Sequence, residues 1–448
     1  VRYSVLTFGC RVNQAESLAF EAELRASGAV RSDHGDADLV VVNSCSVTAS
    51  ADQGTRQAIR KIARANPAAR IVVTGCYATR EPAEVGALPG VVRVVSNRDK
   101  DAIVASLADL RAGMATTAER YAGGDGPCGA VAPATPATDD VQPGFGGRTA
   151  FTLRVQTGCE ESCAYCIIPS TRGRARSTSP GDLAREIRRL EQVGYHDVTL
   201  TGVHVGAYGR DLAPALTLVG LLEHLLSSTR HLVFRLGSLE PMDCPPALVD
   251  LAASTTRIAP AFHLPLQHAS DRVLRAMRRP YTRAAYDATV RAVRERLPHA
   301  SMAADVIVGF PGEDDEDAGV LAEYLERSPL TQLHVFPYSD RPGTEASRMG
   351  AKVHGSVIRA RGARVRAIGQ RLADAFRASQ HGRLCRALAI EDGRTALADN
   401  GLRVEIGDGH ARNDVLTLRL ALVGGRLTGA AVAEAAGRTV EAAGRADG

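Results

Sequence analysis

An α/β chain in three parts is what the sequence predicts: an N-terminal parallel-sheet α/β domain, a central partial (β/α)6 barrel and a small C-terminal β-barrel. Three observations predict it. Short β-branched runs alternate with helical periodicity in two separate stretches, a segment rich in Gly, Ala, Pro and Thr divides them, and short strands punctuated by Gly close the chain. At 448 residues a single core does not suffice, so two or three domains are expected.

Residues 1–112 read as the first domain: RYSVLTF, a helix from about Gln14 to Ser27, ADLVVVN, a helix across Asp52 to Ala65, ARIVVTG and VVRVVS. Residues 113–147 lose periodicity and read as a linker. Residues 148–350 alternate again, with FTLRVQT, DVTLTGV, HLVFRLGS, AFHLPLQ, MAADVIVGF and TQLHVFPYS as six strands separated by helical patterns. Six such strands suit a partial barrel, with an open two-sided sheet as the alternative; in both, chemistry sits at the carboxyl ends of the strands. Residues 351–380 form an Arg-rich helical extension, and 381–448 read as several short strands with Gly turns, followed by a tail.

Composition excludes several classes. The chain is 45% hydrophobic and 23% charged, with formal net charge +4, which is compatible with a polyanionic partner without requiring one. No apolar run spans a bilayer and VRYSVLTFGC lacks the pattern of an export signal, so a cytoplasmic protein with no membrane partner is expected. In a reducing compartment nine cysteines point to metal or redox chemistry rather than to a disulfide framework.

Cys159, Cys163 and Cys166 follow the first barrel strand with the spacing C-x3-C-x2-C. Three thiolates so close together suit a metal. A structural zinc would need a fourth ligand, and the nearest histidines, His196 and His204, lie some thirty residues on. A four-iron cluster on three thiolates instead keeps one iron open for a ligand. Cys10, Cys45 and Cys76 each end a predicted parallel strand, which would gather them at one sheet edge. A lone Cys there would be a small buried hydrophobe; three at equivalent ends favour a second cluster. Cys128, Cys244 and Cys385 have no partner spacing.

The motifs "TFGCRVNQAES", "VNSCSVT", "VTGCYA", "GCEESCAYCIIPSTRGRARS", "LTGVHVGAYG", "RLGSLEP", "FHLPLQHASDRVLRAMRRPYT", "DVIVGFPGE" and "HVFPYSDRPGTEA" together resemble the radical S-adenosylmethionine (SAM) methylthiotransferase family over nearly the whole chain. "GCRVNQAES" with "NSCSVT" is most similar to the branch that acts on N6-threonylcarbamoyladenosine (t6A) in tRNA. Other branches act on isopentenyladenosine in tRNA or on an aspartate of a ribosomal protein, and a non-catalytic iron-sulfur RNA-binding protein is the reading outside this chemistry.

The resemblance implies two [4Fe-4S] clusters, one on Cys159, Cys163 and Cys166 that binds SAM and one on Cys10, Cys45 and Cys76 that handles sulfur. It implies one SAM as methyl donor and a second as source of the 5′-deoxyadenosyl radical. Aromatic C2 of adenine is not acidic, so general-base catalysis has no proton to take there. Tyr165 fits the family pattern beside its cysteine, and Thr201, Gly202 and Val203 match a segment that meets the methionine moiety. Ser238 and Glu240 offer polar groups to a ribose or amino group, with a helix N-cap as the other reading of Ser238. Gln267 is a further cofactor-binding candidate, and Gly309 with Phe310 would pack on adenine.

Arg172, Arg174 and Arg176 are candidates to bind RNA, as are Arg278, Arg279 and the basic helix over Arg359 to Arg371; solvated helix faces are the alternative. The tail resembles the RNA-gripping TRAM domain, although it carries few aromatics for stacking. The partners implied are the anticodon stem-loop of tRNA and an external electron donor.

Overall fold

The computed structural model describes residues 1–107 and 141–432. The first domain is a five-stranded parallel sheet of β1 (Arg2–Thr7), β2 (Val30–Arg31), β3 (Leu39–Ser44), β4 (Arg70–Gly75) and β5 (Val91–Val94), in the order β2-β1-β3-β4-β5. β3 is buried along its whole length because helices cover both faces of the sheet. Ile59, Ile62, Tyr77 and Val85 pack on one side, and Phe20, Leu24 and Ile103 on the other. Thr48 caps the helix Ala49–Ala65, its Oγ1 accepting the Ala51 N–H at 3.3 Å.

The central domain contains β6 (Phe151–Arg154), the short pair β7 (Gln156–Thr157) and β8 (Arg176–Ser177), then β9 (Asp197–Thr201), β10 (Val233–Leu236), β11 (Ala261–His263), β12 (Ser301–Val308) and β13 (Gln332–Pro337). The six long strands are parallel and hydrogen-bonded as two halves, β10-β9-β6 and β11-β12-β13. Backbone bridges of Phe234 with Ile258 and of Ser238 with His263 join the halves into a partial barrel. Strand residues alternate between the helix-covered core and a concave lumen: Met302, Ala304, Val306 and Val308 of β12 face the core.

The helix expected over Asp271 to Arg279 stops at Ala276 because Arg278 adopts φ +57°. That turn sends Arg279 inward. Most of the expected linker falls outside the described residues, but 141–147 are packed: Val141 and Phe145 join the core that Leu18 and Ala22 also enter. These two apolar side chains bind the segment to the first helix, Arg11–Ala26.

The helix Gly355–Ser379 lays Val365 and Ile368 on the barrel and leads to a closed β-barrel. Its strands are β14 (Leu384–Ile390), β15 (Thr395–Ala398), β16 (Arg403–Ile406), β17 (Val415–Val423) and β18 (Arg426–Ala431). Residues 384–431 contain no Phe, Tyr or Trp, and their core is small aliphatics such as Ala387, Val404 and Leu418. The turn at 398–401 docks on the amino ends of the central strands. Arg235 donates to the carbonyls of Asp399 (3.0 Å) and Ala398 (3.1 Å), and Ser301 Oγ to that of Asn400 (2.6 Å). Asp197, fully buried, takes Arg235 at 2.8 Å and Arg386 at 2.9 Å. Among the described residues no helix is long and apolar enough to cross a membrane.

Candidate functional site

Both cysteine trios sit where strands end. Cys10 follows β1, Cys45 follows β3 and Cys76 follows β4; Cys10 is exposed and the other two are buried. Gly9, at φ +91°, lies against Cys45 so closely that a Cβ there would stand 2.5 Å from its Sγ. Only glycine allows that approach. Burial pushes the Cys45 thiol up to about 11, with Cys10 and Cys76 adding to the rise. Burial acts on Cys76 in the same sense, but Arg172 and Lys100 outweigh it and favour the thiolate.

The second trio occupies the loop between β7 and β8. Gly158, at φ +75°, lets the loop close on itself: a Cβ there would overlap the carbonyl of Arg174, and the Cys159 N–H reaches Gly173 O at 3.0 Å. Arg279 Nη1 donates to Cys163 Sγ at 3.1 Å, Arg279 Nε reaches the Tyr281 hydroxyl at 3.1 Å, and Arg279 pairs with Glu240. His204 Nδ1 lies 3.9 Å from Cys159 Sγ, while its Nε2 meets Asp243 Oδ2 at 2.5 Å. Burial opposes a charge on His204, yet Asp243 and Cys159 outweigh it and raise its pKa to about 10. Positive groups therefore stand beside both trios, where they favour the thiolate form.

The trio spacing also bears on the metal. Three thiolates on one tetrahedral zinc lie about 3.8 Å apart, given Zn–S bonds of about 2.3 Å. Neither trio brings all its sulfurs within 4.8 Å of one another. The donors therefore suit a wider, multi-iron core rather than a single ion.

One seam joins the trios. The guanidinium of Arg172 reaches Glu16 Oε1 at 2.8 Å, Asn13 Oδ1 at 2.5 Å and Thr157 Oγ1 at 3.3 Å. Lys100 and Arg154 pair with the same Glu16. Burial works against the Glu16 charge, but these cations hold its carboxyl well below the usual range. Asn97 Nδ2 donates to the Thr171 carbonyl at 3.0 Å and lies 3.5 Å from Cys76 Sγ, so one side chain touches a cysteine of the first domain and the helix that follows the second trio. Asp52 closes the other side of the seam, taking Arg80 at 2.7 Å and Arg341 at 2.9 Å.

The cofactor-binding candidates gather on the carboxyl rim. Thr201 ends β9, Gly202 presses on Gln156, and Val203 follows in the same loop. Ser238 and Glu240 follow β10; the N-cap of the short helix there is Glu240, so Ser238 is not the cap. Gln267 holds φ +61° beyond β11, with its carbonyl accepting the Ile307 N–H at 2.9 Å. Tyr165 packs beside Phe310, and Gly309 abuts Ile358.

Three placements correct the sequence reading. Phe310 is fully buried against Ala164, Met277 and Ala346, so it supports the cluster loop and offers no face to adenine. Arg172 and Arg279 have side chains only 2% exposed and spend their donors inside the protein, so neither meets a phosphate. Arg174, at 89% exposed, faces solvent beside Glu160; Arg176 lies half-buried on β8, and Arg278 pairs with Glu345 at 2.7 Å. In the basic helix, Arg361 reaches Glu313 and Arg371 reaches Glu326. Cys244 and Cys385 are buried, and Cys128 lies outside the described residues.

Sequence reasoning missed Asn13, Glu16, Asn97 and Gln156. Gln156 Oε1 accepts the His204 N–H at 2.9 Å and its Nε2 donates to the Gly158 carbonyl at 2.8 Å, tying the cluster loop to the β9 rim. Asn13 Nδ2 reaches the Phe8 and Ser44 carbonyls at 2.7 and 2.9 Å, which fixes the ends of β1 and β3. The only signal for Asn13 was its place three residues after Cys10.

Comparisons agree with this geometry. Residues 2–97 match the uncharacterized protein family UPF0004, and residues 153–325 match the radical SAM superfamily, which carries a [4Fe-4S] cluster and SAM. The threonylcarbamoyladenosine tRNA methylthiotransferase MtaB of Bacillus subtilis is 34% identical, over 84% of this chain and 81% of that protein. Its namesake from Aquifex aeolicus is 35% identical, over 87% of this chain and 92% of that protein. A tRNA-2-methylthio-N(6)-dimethylallyladenosine synthase of Paenarthrobacter aurescens is 33% identical, over 88% and 76%. Among solved structures, the radical SAM methyltransferase TsrM of Kitasatospora setae aligns with TM-score 0.55 and 16% identity, over 77% of this chain and 76% of that one, a likeness of fold. With relatives this similar over so much of their length, and two cysteine trios meeting at one seam, the chain belongs to the radical SAM methylthiotransferase family.

Proposed function

We propose that this enzyme transfers a methylthio group to C2 of t6A beside the anticodon of tRNA, and that Cys10, Cys45 and Cys76 hold a second [4Fe-4S] cluster. The observation that supports the reading is Asn97, within reach of both Cys76 and the Thr171 carbonyl, so that one side chain links a cysteine of the first trio to the helix that follows the second. When bound at Cys159, Cys163 and Cys166, a cluster with SAM supplies hydrogen abstraction from an unactivated carbon, driven by an external electron donor. Arg279 and His204 steady that loop by their contacts with Cys163 and Cys159. Arg172 and Lys100 offset the thiolate charge of the other trio. Thr201, Gly202, Val203, Ser238, Glu240 and Gln267 line the rim that binds SAM, with Tyr165 beside it, and Gly309 lets the chain turn there. Arg174 and Arg176 face the anticodon stem-loop. An unpaired loop base reaches the cysteine rim by splaying out, which costs little.

The choice of t6A rests on the MtaB relatives, at 33–35% identity. It is tested by incubating the anaerobically reconstituted enzyme, SAM and a reductant with tRNA lacking methylthio groups, then weighing the hydrolysed nucleosides. A methylthio gain on t6A is expected. A gain on dimethylallyladenosine instead, or on no nucleoside, overturns the proposal.

A further inference from the structure

A second kind of donor set lies inside the barrel, on the strands themselves. His263 ends β11, Asp305 lies within β12 and His334 within β13, three neighbours in one parallel sheet. Phe262, Met302, Ala304, Val306, Leu333 and Val335 turn to the helix-covered core, so His263, Asp305 and His334 share the opposite, concave face. Their side chains are 26%, 24% and 40% exposed, accessible from the lumen without being free in solvent. Their ligand atoms all lie within 4.8 Å of one another, which no other such group among the described residues achieves.

The distances suit an ion. Asp305 Oδ1 stands 2.9 Å from His263 Nε2 and 3.1 Å from His334 Nδ1. Bonds of about 2.1 Å to a first-row metal put adjacent ligands of an octahedron about 3.0 Å apart. His334 Nε2 lies 3.1 Å from the side-chain amide of Gln332. Turned so that its oxygen accepts, that amide holds the proton on Nε2 and directs the Nδ1 lone pair at the shared centre, the outer support that metal-bound imidazoles usually have. Burial opposes the Asp305 charge, but the two imidazoles outweigh it and hold its pKa down to about 2, so the carboxylate is anionic at neutral pH.

We propose that His263, Asp305 and His334 bind one divalent first-row cation of the Mn2+, Fe2+ or Zn2+ class, with its remaining positions open to the barrel lumen. Two imidazoles and a carboxylate on one face are the donor set such ions take with positions to spare. The site uses no cysteine of either trio.

The test is an anaerobic titration of the cluster-loaded enzyme with manganese(II) chloride, following free Mn2+ by its electron paramagnetic resonance signal. One Mn2+ per chain is expected, displaced by added Zn2+. Asp305→Asn and His334→Gln should each weaken uptake by about tenfold or more, on the scale seen when metal-site partners are removed, with cluster iron per chain unchanged. Gln332→Ala, at an exposed position, is the second variant and should weaken uptake about tenfold. No uptake by the wild type, or uptake unchanged in all three variants at constant iron content, overturns the proposal.

Discussion

Cys10 is the exposed member of its trio, while Cys45 and Cys76 are locked into the sheet edge. Cys10→Ala should therefore leave the fold intact, abolish methylthiolation and spare reductive SAM cleavage, read as 5′-deoxyadenosine by chromatography; loss of both activities would mean that the trios do not act separately. Arg172 is the opposite case. Arg172→Ala leaves Glu16 with Lys100 and Arg154 alone, and breaking a buried pair costs about 3 kcal/mol or more. A lower thermal midpoint is expected, and Arg172→Lys should not restore it because an ammonium cannot reach Glu16, Asn13 and Thr157 together. In the sequence Arg172 sits in a basic run and reads as a phosphate contact. What a run does not display is direction: Arg172 closes the helix Ile168–Arg172 and turns inward, whereas Gly173 at φ +70° swings Arg174 out to solvent.

Elements were legible where local pattern and tertiary role coincide. LVVVNS and RIVVTG read as buried parallel strands because both faces are covered, and each was found where its β-branched run lies. Cysteine spacing was legible for the same reason, since C-x3-C-x2-C is a local constraint. The seam residues Glu16, Lys100 and Asn97 were not, because their partners lie up to 156 positions away and leave no periodicity behind. His268, in the loop after β11, is another such case: its Nδ1 accepts the Ser270 N–H at 3.0 Å, and its buried Nε2 makes no hydrogen bond, the nearest carboxylate oxygen, Glu313 Oε2, standing 3.9 Å away. Burial drives its pKa from 6.5 down to about 4. The fold thus holds it neutral while the unfolded chain protonates it, so stability is full above about pH 6.5 and falls as pH drops towards 4, by at most about 1.4 kcal/mol per pH unit. Urea titrations at pH 7 and pH 5 should show this loss in the wild type and a smaller one in His268→Gln; equal losses would remove His268 as the cause.

At the scale of the molecule, the C-terminal barrel is held to the central domain through Asp197, which both Arg235 and Arg386 grip. Asp197→Ala leaves Arg235 buried without its carboxylate, at a cost of about 3–5 kcal/mol. Limited proteolysis should then cut near residues 380–383, where the long helix hands over to β14, far faster than in the wild type; an unchanged digestion pattern would show that the docking rests elsewhere. With no Phe, Tyr or Trp in residues 384–431, this small barrel has only His410 and its arginines as planar groups on which a base could stack.

The docked turn at 398–401 has a consequence for traffic. It ties the C-terminal barrel to β10 and to the start of β12, at the opposite end of these strands from the rim that carries the cysteines. Whatever approaches the cysteines therefore does so from the end of the strands that this small barrel leaves uncovered.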